Sequence, residues 1–144
     1  YFEYVVPPLE GLWWTDTPGF DGRAPADKSD FRWVSLIRQP DFVTEEVFHW
    51  AREKLAAKKP ELDLSSARFL RWEEGLCAHI LHTGPYDSEP ASIGALEAFI
   101  TGQGYVQDLS DTRRHHEIYL SDPRRTTPAK LKTLIRHPIR RESA

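Results

Sequence analysis

Eleven prolines divide this 144-residue chain. A proline inside a helix or a central strand removes a backbone donor, so the stretches between prolines set what can form. Pro7 and Pro8 confine the first half of residues 5–14 (VVPPLEGLWW), an extended segment, to an edge or a bulge. Residues 31–38 (FRWVSLIR) alternate aromatic and aliphatic side chains as a strand does, and Pro40 stops them. Thr44 then caps a helix with Glu45 and Glu46 in its first turn, closed by Lys58, Lys59 and Pro60. Its apolar residues Val47, Phe48, Trp50, Ala51 and Leu55 fall on one helical face. The turn from Gly84 to Asp87 feeds a second helix over residues 89–102, with Pro90 in its first turn and Ile93, Leu96, Phe99 and Ile100 as its buried stripe. Strands are expected at 67–72, 75–83, from Tyr105, and at 115–120 (HHEIYL). Thr127 and Pro128 predict a last short helix carrying Leu131, Leu134 and Ile135 that ends before Pro138. The pattern is α+β: an antiparallel sheet with two or three helices. Residues 15–29, rich in Pro, Gly and Asp, read as a mobile loop.

At this length residues 1–144 form one domain, and 40% hydrophobic with 28% charged residues is a globular balance. No apolar run reaches the roughly 18 residues that a membrane span needs, and no secretory signal opens the chain. Cys77 is the only cysteine, which excludes an internal disulfide and points to a reducing, cytoplasmic setting. The chain contains no Met and starts at Tyr1 in strand-like sequence, so a preceding segment is expected to be absent from it.

Charge is uneven. From Arg113 onward the balance is +6, which leaves −9 for residues 1–112 of a chain whose net charge is −3. We read the basic third as a solvated surface rather than a nucleic-acid contact, because its charges interrupt ordered-looking sequence and form no stripe.

The residue with most chemical content is Glu117. Strand alternation places His115, Glu117 and Tyr119 on one face and His116, Ile118 and Leu120 on the other. Ile118 and Leu120 look core-facing, which would turn Glu117 away from the core. Two readings stay open: a solvated carboxylate, or an acid in a concave aromatic pocket, where it would attract cations and gain basicity by desolvation. Five Trp exceed what so small a core needs and leave some free to stack on a ligand. Adjacent Trp13 and Trp14 face opposite sides of their strand, Trp33 shares a face with Phe31, and Tyr86 sits in the turn before a helix. The six histidines do not suggest a metal. His115 and His116 diverge, as do His79 and His82; a cross-strand His79–His115 pair would still lack a third ligand. No cofactor-binding motif, phosphate loop or nucleophile elbow is present, and Cys77 reads as a small buried hydrophobe.

Three stretches together resemble the GyrI-like family of small-molecule-binding domains: VVPPLEGLWW (5–14), EEGLCAHILHTGPYDSEPASI (73–93) and HHEIYLSDPRRTTPAKLKTLIRHP (115–138). LIRQPDFVT (36–44) fits the same pattern, and the match is to the stand-alone branch. The resemblance implies a SOUL/GyrI-like fold of two pseudo-twofold βαββ halves, helices on one side of the sheet, and a ligand cleft between the halves. It implies that Glu117 is the pocket glutamate, with a cage drawn from Trp14 (or Trp13), Trp33, Tyr86 and Tyr119, and His115 beside it. Some members of this branch resemble hydrolases that open the cyclopropane of DNA-alkylating natural products, which would give Glu117 and Tyr86 catalytic roles. The family's first strand and helix have no counterpart in this chain, so a second copy or a separate N-terminal segment would complete the sheet.

Three functions follow as expectations. The first is a binding module for aromatic or cationic xenobiotics. The second is a metal-free, cyclopropane-opening hydrolase in which Glu117 activates water. The third is a protein-interaction module that inhibits a nucleic-acid enzyme through the uneven charge, with Arg124 and Arg125 as its contacts.

Overall fold

The computed structural model describes residues 3–23 and 28–142. They divide into two compact units: one is Arg38–Glu73, and the other is built from the chain on either side of it. The larger unit carries β1 (Glu10–Thr15), β2 (Phe31–Leu36), β3 (Cys77–Thr83), α2 (Glu89–Gly102), β4 (Tyr105–Gln107), β5 (His115–Tyr119) and β6 (Lys132–Arg141). The smaller unit carries α1 (Glu45–Lys58). Thr44 caps α1 as its sequence predicts, its hydroxyl accepting from the Val47 amide at 3.3 Å. Residues 67–72, expected as a strand, form no regular element.

The sheet runs β2-β1-β5-β6-β3, with β4 paired to the far end of β6. Every pairing is antiparallel, which makes the fold α+β. Hairpins β1–β2 and β5–β6 flank the β1–β5 seam as like halves. The second half has β3 and α2 ahead of its hairpin, whereas among the described residues β2 pairs only with β1.

The largest departure from expectation is β6. The segment expected as a helix is a ten-residue strand, preceded by one short 3-10 turn at Pro128–Lys130. Its governing period is two: Leu131, Thr133, Ile135, His137 and Ile139 are all buried, but Thr and His mask the alternation in an apolar count. Pro138 is tolerated inside this strand for a local reason. Pairing with β5 has ended at Arg136, so no carbonyl of β5 lies opposite the missing N–H, and the Pro138 carbonyl accepts from Asp108 N at 2.9 Å.

The core lies between the sheet and α2. Ile93, Leu96 and Ile100 of α2 pack with Ala78, Ile135 and Ile139. Phe99, expected in the same stripe, is instead 59% exposed. The face of β5 bearing His115, Glu117 and Tyr119 is opposite Ile135 and its neighbours, the face that α2 covers. The expected orientation is therefore reversed: Glu117 lies on the core side, and Leu120 is 49% exposed.

The other sheet face has its own buried polar group, His116. Its Nδ1 meets Glu74 Oε1 and its Nε2 meets Glu10 Oε2, both at 2.8 Å, while Arg136 donates to Glu74 Oε2 at 2.7 Å. Burial would raise the Glu74 carboxyl, but the bonds from His116 and Arg136 outweigh it and hold the group below its ordinary range. This network joins β1, β5, β6 and the lead into β3.

Leu96, 2% exposed at the centre of the core, should cost about 2–5 kcal/mol on truncation to Ala. Phe99→Ala should stay within about 0.5 kcal/mol. Urea unfolding of the two variants checks the contrast, and equal losses would contradict this placement of the core.

Candidate functional site

Glu117 sits in the middle of β5 with both carboxylate oxygens occupied. His115 Nε2 donates to Oε1 at 2.9 Å, and the Tyr119 hydroxyl donates to Oε2 at 2.7 Å. The Tyr119 oxygen accepts in turn from Trp13 Nε1 at 2.9 Å. This last bond needs the glycine next to it. Gly11 faces Glu117 across the β1–β5 ladder, and a Cβ there would lie 2.7 Å from Trp13 Nε1 and 3.0 Å from the Tyr119 hydroxyl. Any side chain at this position would push the indole and phenol apart.

A second carboxyl completes the centre. Glu89, 7% exposed in the first turn of α2, lines the same cavity wall as Glu117 and interacts with it electrostatically. A helix N-terminus ordinarily favours a carboxylate. Here burial and, after it, the negative charge of Glu117 prevail and push Glu89 up to about 8. The Thr133 hydroxyl tempers that rise, although it and Glu89 Oε1 have no hydrogen-bond partner of ordinary geometry among the described residues. Burial also acts on Glu117, but the hydrogen bonds from His115, Tyr119 and Glu89 hold it below its ordinary range. At neutral pH the pair is thus one carboxylic acid and one carboxylate, with the proton on Glu89. The same negative charge and burial raise the Tyr119 phenol, which stays a hydrogen-bond donor throughout the physiological range.

The pair lies at the wall of a cavity of about 1140 Å³. Trp13, Phe31, Tyr86 and Tyr119 supply aromatic surface, and Val5, Val6, Pro8 and Leu9 line one side. Tyr86 meets Tyr119 edge-on at 6.0 Å, and Trp13 meets Phe31 edge-on at 5.3 Å. Tyr86 and Glu89 are placed by one turn. Buried His82 bonds Ser92 Oγ through Nδ1 at 2.8 Å and the Pro85 carbonyl through Nε2 at 3.1 Å, which fixes the chain between β3 and α2. At the rim, Lys28 pairs with Asp87 at 2.8 Å and Arg124 with Asp122 at 3.0 Å. Both pairs are solvent-exposed and add little to stability.

Of the residues singled out in the sequence, Trp13, Tyr86, His115, Glu117 and Tyr119 line this cavity together. Trp14 points to the other sheet face, where the Arg114 guanidinium lies 4.3 Å from its ring centre. Trp33 is 58% exposed and stacks on Trp13 at 5.6 Å, extending the aromatic row beyond the cavity wall. His79 is opposite Arg136 in the β3–β6 ladder, so it has no cross-strand relation to His115. No group of three metal-ligating side chains occurs among the described residues. Sequence reasoning missed Glu89, whose place in a helix first turn is the ordinary one for a solvated acid. It also missed His137, hidden in the segment expected as a helix.

Comparison with known proteins gives a consistent picture. The family described as the GyrI-like small molecule binding domain matches residues 3–140. A crystal structure of a hydrolase from Listeria innocua aligns with TM-score 0.84 and 41% identity, covering 97% of this chain and 66% of that one. An uncharacterized conserved protein from the same organism aligns with TM-score 0.90 and 43% identity, covering 97% and 67%. A further L. innocua hydrolase structure gives 0.83 and 42%, covering 97% and 66%. The chain thus spans about two thirds of the length of these proteins. No curated protein matches it. The chain belongs to the GyrI-like small-molecule-binding family, and no helix among its described residues is long and apolar enough to cross a membrane.

The shared proton has a thermodynamic consequence. Glu89 holds its proton more tightly folded than unfolded, so its contribution is complete below about 4.5 and is lost as pH rises through about 8. Glu89→Gln cannot ionise and escapes that loss. Its melting temperature relative to wild type should rise between pH 5 and pH 8, by several degrees in total, and level off above that. Parallel melting curves across that window would show that Glu89 is not the protonated member.

Proposed function

We propose that this GyrI-like domain captures planar aromatic or cationic xenobiotics in its cavity and opens an activated cyclopropane ring by adding water, protecting the cell from DNA-alkylating compounds. The observation that carries the reading is the carboxyl pair Glu89–Glu117 at the wall of an aromatic cavity. A pocket that only stores a ligand has no use for one acid and one base held side by side, and the pair costs folding energy. Capture rests on apolar burial against Trp13, Phe31, Tyr86 and Tyr119, with the Glu117 carboxylate attracting positive charge. Likeness to two L. innocua hydrolase structures adds support from outside the molecule.

The chemistry balances with these two groups alone. Water attacks the less hindered carbon of a cyclopropane conjugated to a carbonyl, while Glu117 takes one proton of that water. The carbon–carbon bond breaks, and its electron pair moves into the conjugated system. The carbonyl oxygen, now an enolate, receives the Glu89 proton. The product has gained one water, and a proton passing from Glu117 back to Glu89 restores the pair. Ring strain lowers the barrier, so positioning and one acid–base pair suffice. Tyr86, on the turn that also carries Glu89, would orient the ligand over the pair.

Incubating the protein with a cyclopropane-bearing DNA alkylator and following the compound by mass spectrometry tests the proposal. Catalytic gain of one water is expected. Glu117→Gln and Glu89→Gln should each lower turnover by about 10²–10⁴-fold while tryptophan quenching by the ligand persists. Quenching without conversion by wild type would leave a sequestering protein. Conversion untouched by either substitution would place the chemistry elsewhere.

A further inference from the structure

Beside Glu117, the cavity-lining His115 is backed by a second buried histidine, His137. His137 Nε2 is 2.7 Å from His115 Nδ1, and the two rings are 0% and 2% exposed. His137 comes from β6 and does not line the cavity, whereas His115 reaches Glu117 through its other nitrogen at 2.9 Å. Gly22 and Phe20, between β1 and β2, pack against the pair. Gly22, with φ +93°, lies so close that a Cβ would sit 2.6 Å from His137 Nε2 and 2.7 Å from His115 Nδ1. Phe20 covers the His115 ring edge-on at 6.1 Å.

The direction of the hydrogen bonds follows from their ends. A carboxylate only accepts, so His115 Nε2 carries a proton. His137 Nδ1 is buried and has no hydrogen-bond partner among the described residues. If His115 donated to His137, this orphaned nitrogen would hold an unpaired N–H, which native proteins rarely bury. If His137 donates, the orphan is a bare lone pair, the less costly state. Burial pushes the His137 imidazolium down to about 3, which agrees with a neutral ring. The chain therefore reads His137 Nε2–H to His115 Nδ1, then His115 Nε2–H to Glu117.

We propose that His137 is a positioning residue: by donating to His115 Nδ1 it holds the ring in the orientation that aims its Nε2–H at Glu117, and so helps decide which member of the carboxyl pair keeps the shared proton. Without this donor the His115 ring is free to turn about its side-chain bonds, and its Nε2–H no longer meets the Glu117 carboxylate squarely. Glu117 would then hold its negative charge less well, and the pair would relax towards protonating it. The titratable groups that surround the pair and take part in this balance are His115, His137 and Tyr119 from the sheet, Glu89 from α2, Tyr86 and Asp87 from the preceding turn, and Asp122. The inference rests on the carboxyl pair proposed above as the reactive centre, but its test needs no turnover, so the two can fail separately.

The test is NMR of the ligand-free protein, reading imidazole nitrogens by long-range proton–nitrogen correlation and the two carboxyl carbons by pH titration. Wild type should show His115 protonated at Nε2 only, with Nδ1 an acceptor; the opposite tautomer overturns the proposal outright. In His137→Leu the His115 Nε2–H signal should shift and exchange faster with water as its bond to Glu117 loosens, with the carboxyl titrations converging by about one pH unit or more as Glu117 rises and Glu89 falls. His137→Gln, whose amide reaches the place of Nε2, should restore the wild-type pattern. If Leu does not fold, Asn, whose shorter amide cannot reach His115, takes its place in the comparison with Gln. An unchanged His115 Nε2–H signal and unchanged titrations in folded Leu or Asn variants would reduce His137 to packing.

Discussion

A carboxylate in the middle of a covered sheet face is expensive, and the larger unit is arranged around making Glu117 tolerable. Removing an ionised carboxyl from water costs several kcal/mol unless donors replace the lost solvent. Four elements supply or support them. β5 gives His115 and Tyr119, β1 gives Trp13 to steady Tyr119, β6 gives His137 behind His115, and α2 gives the protonated Glu89. Two glycines are fixed by this arrangement: Gly11 for the Trp13–Tyr119 bond and Gly22 for the histidine pair. The negative charge stays on Glu117 because His115 and Tyr119 donate to it, while Glu89, with no such pair of donors, keeps the proton. Acid and base are therefore products of one electrostatic compromise.

The two faces of β5 show how differently a buried histidine can be used. His116 is held between Glu10 and Glu74, with Arg136 also bonded to Glu74. Each ring nitrogen meets a carboxylate and the group is satisfied, so it holds strands together and offers nothing to a ligand. His115, one residue away on the opposite face, has one carboxylate and one further histidine. That asymmetry makes it a link between the core and the cavity.

Much of this was legible in the sequence where a residue type and its period agreed. The alternation His115-Glu117-Tyr119, the turn that carries Tyr86 and the adjacent pair Trp13–Trp14 led to five of the residues that line the cavity. The second helix was legible from Ile93, Leu96 and Ile100. Legibility failed where polar residues occupy core positions. Thr133 and His137 broke the apolar alternation of β6, so a strand looked like a helix, and the partner of His115 disappeared with it. Ile118 and Leu120 looked like the buried side of β5 because hydrophobicity alone was counted, while the true inward face is the one bearing polar groups. Glu89 was invisible for another reason: its burial depends on the α2–sheet contact and on Glu117, 28 positions downstream. No local pattern encodes that distance.

The account's central claim is that Glu89 stays protonated beside an ionised Glu117 and delivers its proton during turnover. The pH dependence of kcat/KM for opening of a cyclopropane substrate tests this most directly. The rate should hold across neutral pH and fall as pH rises through about 8, where Glu89 loses its proton. In Glu89→Gln the same measurement should show a low rate with no alkaline limb. A wild-type profile still flat well above pH 9 would contradict the claim, because the proton donor would then have to be a group other than Glu89.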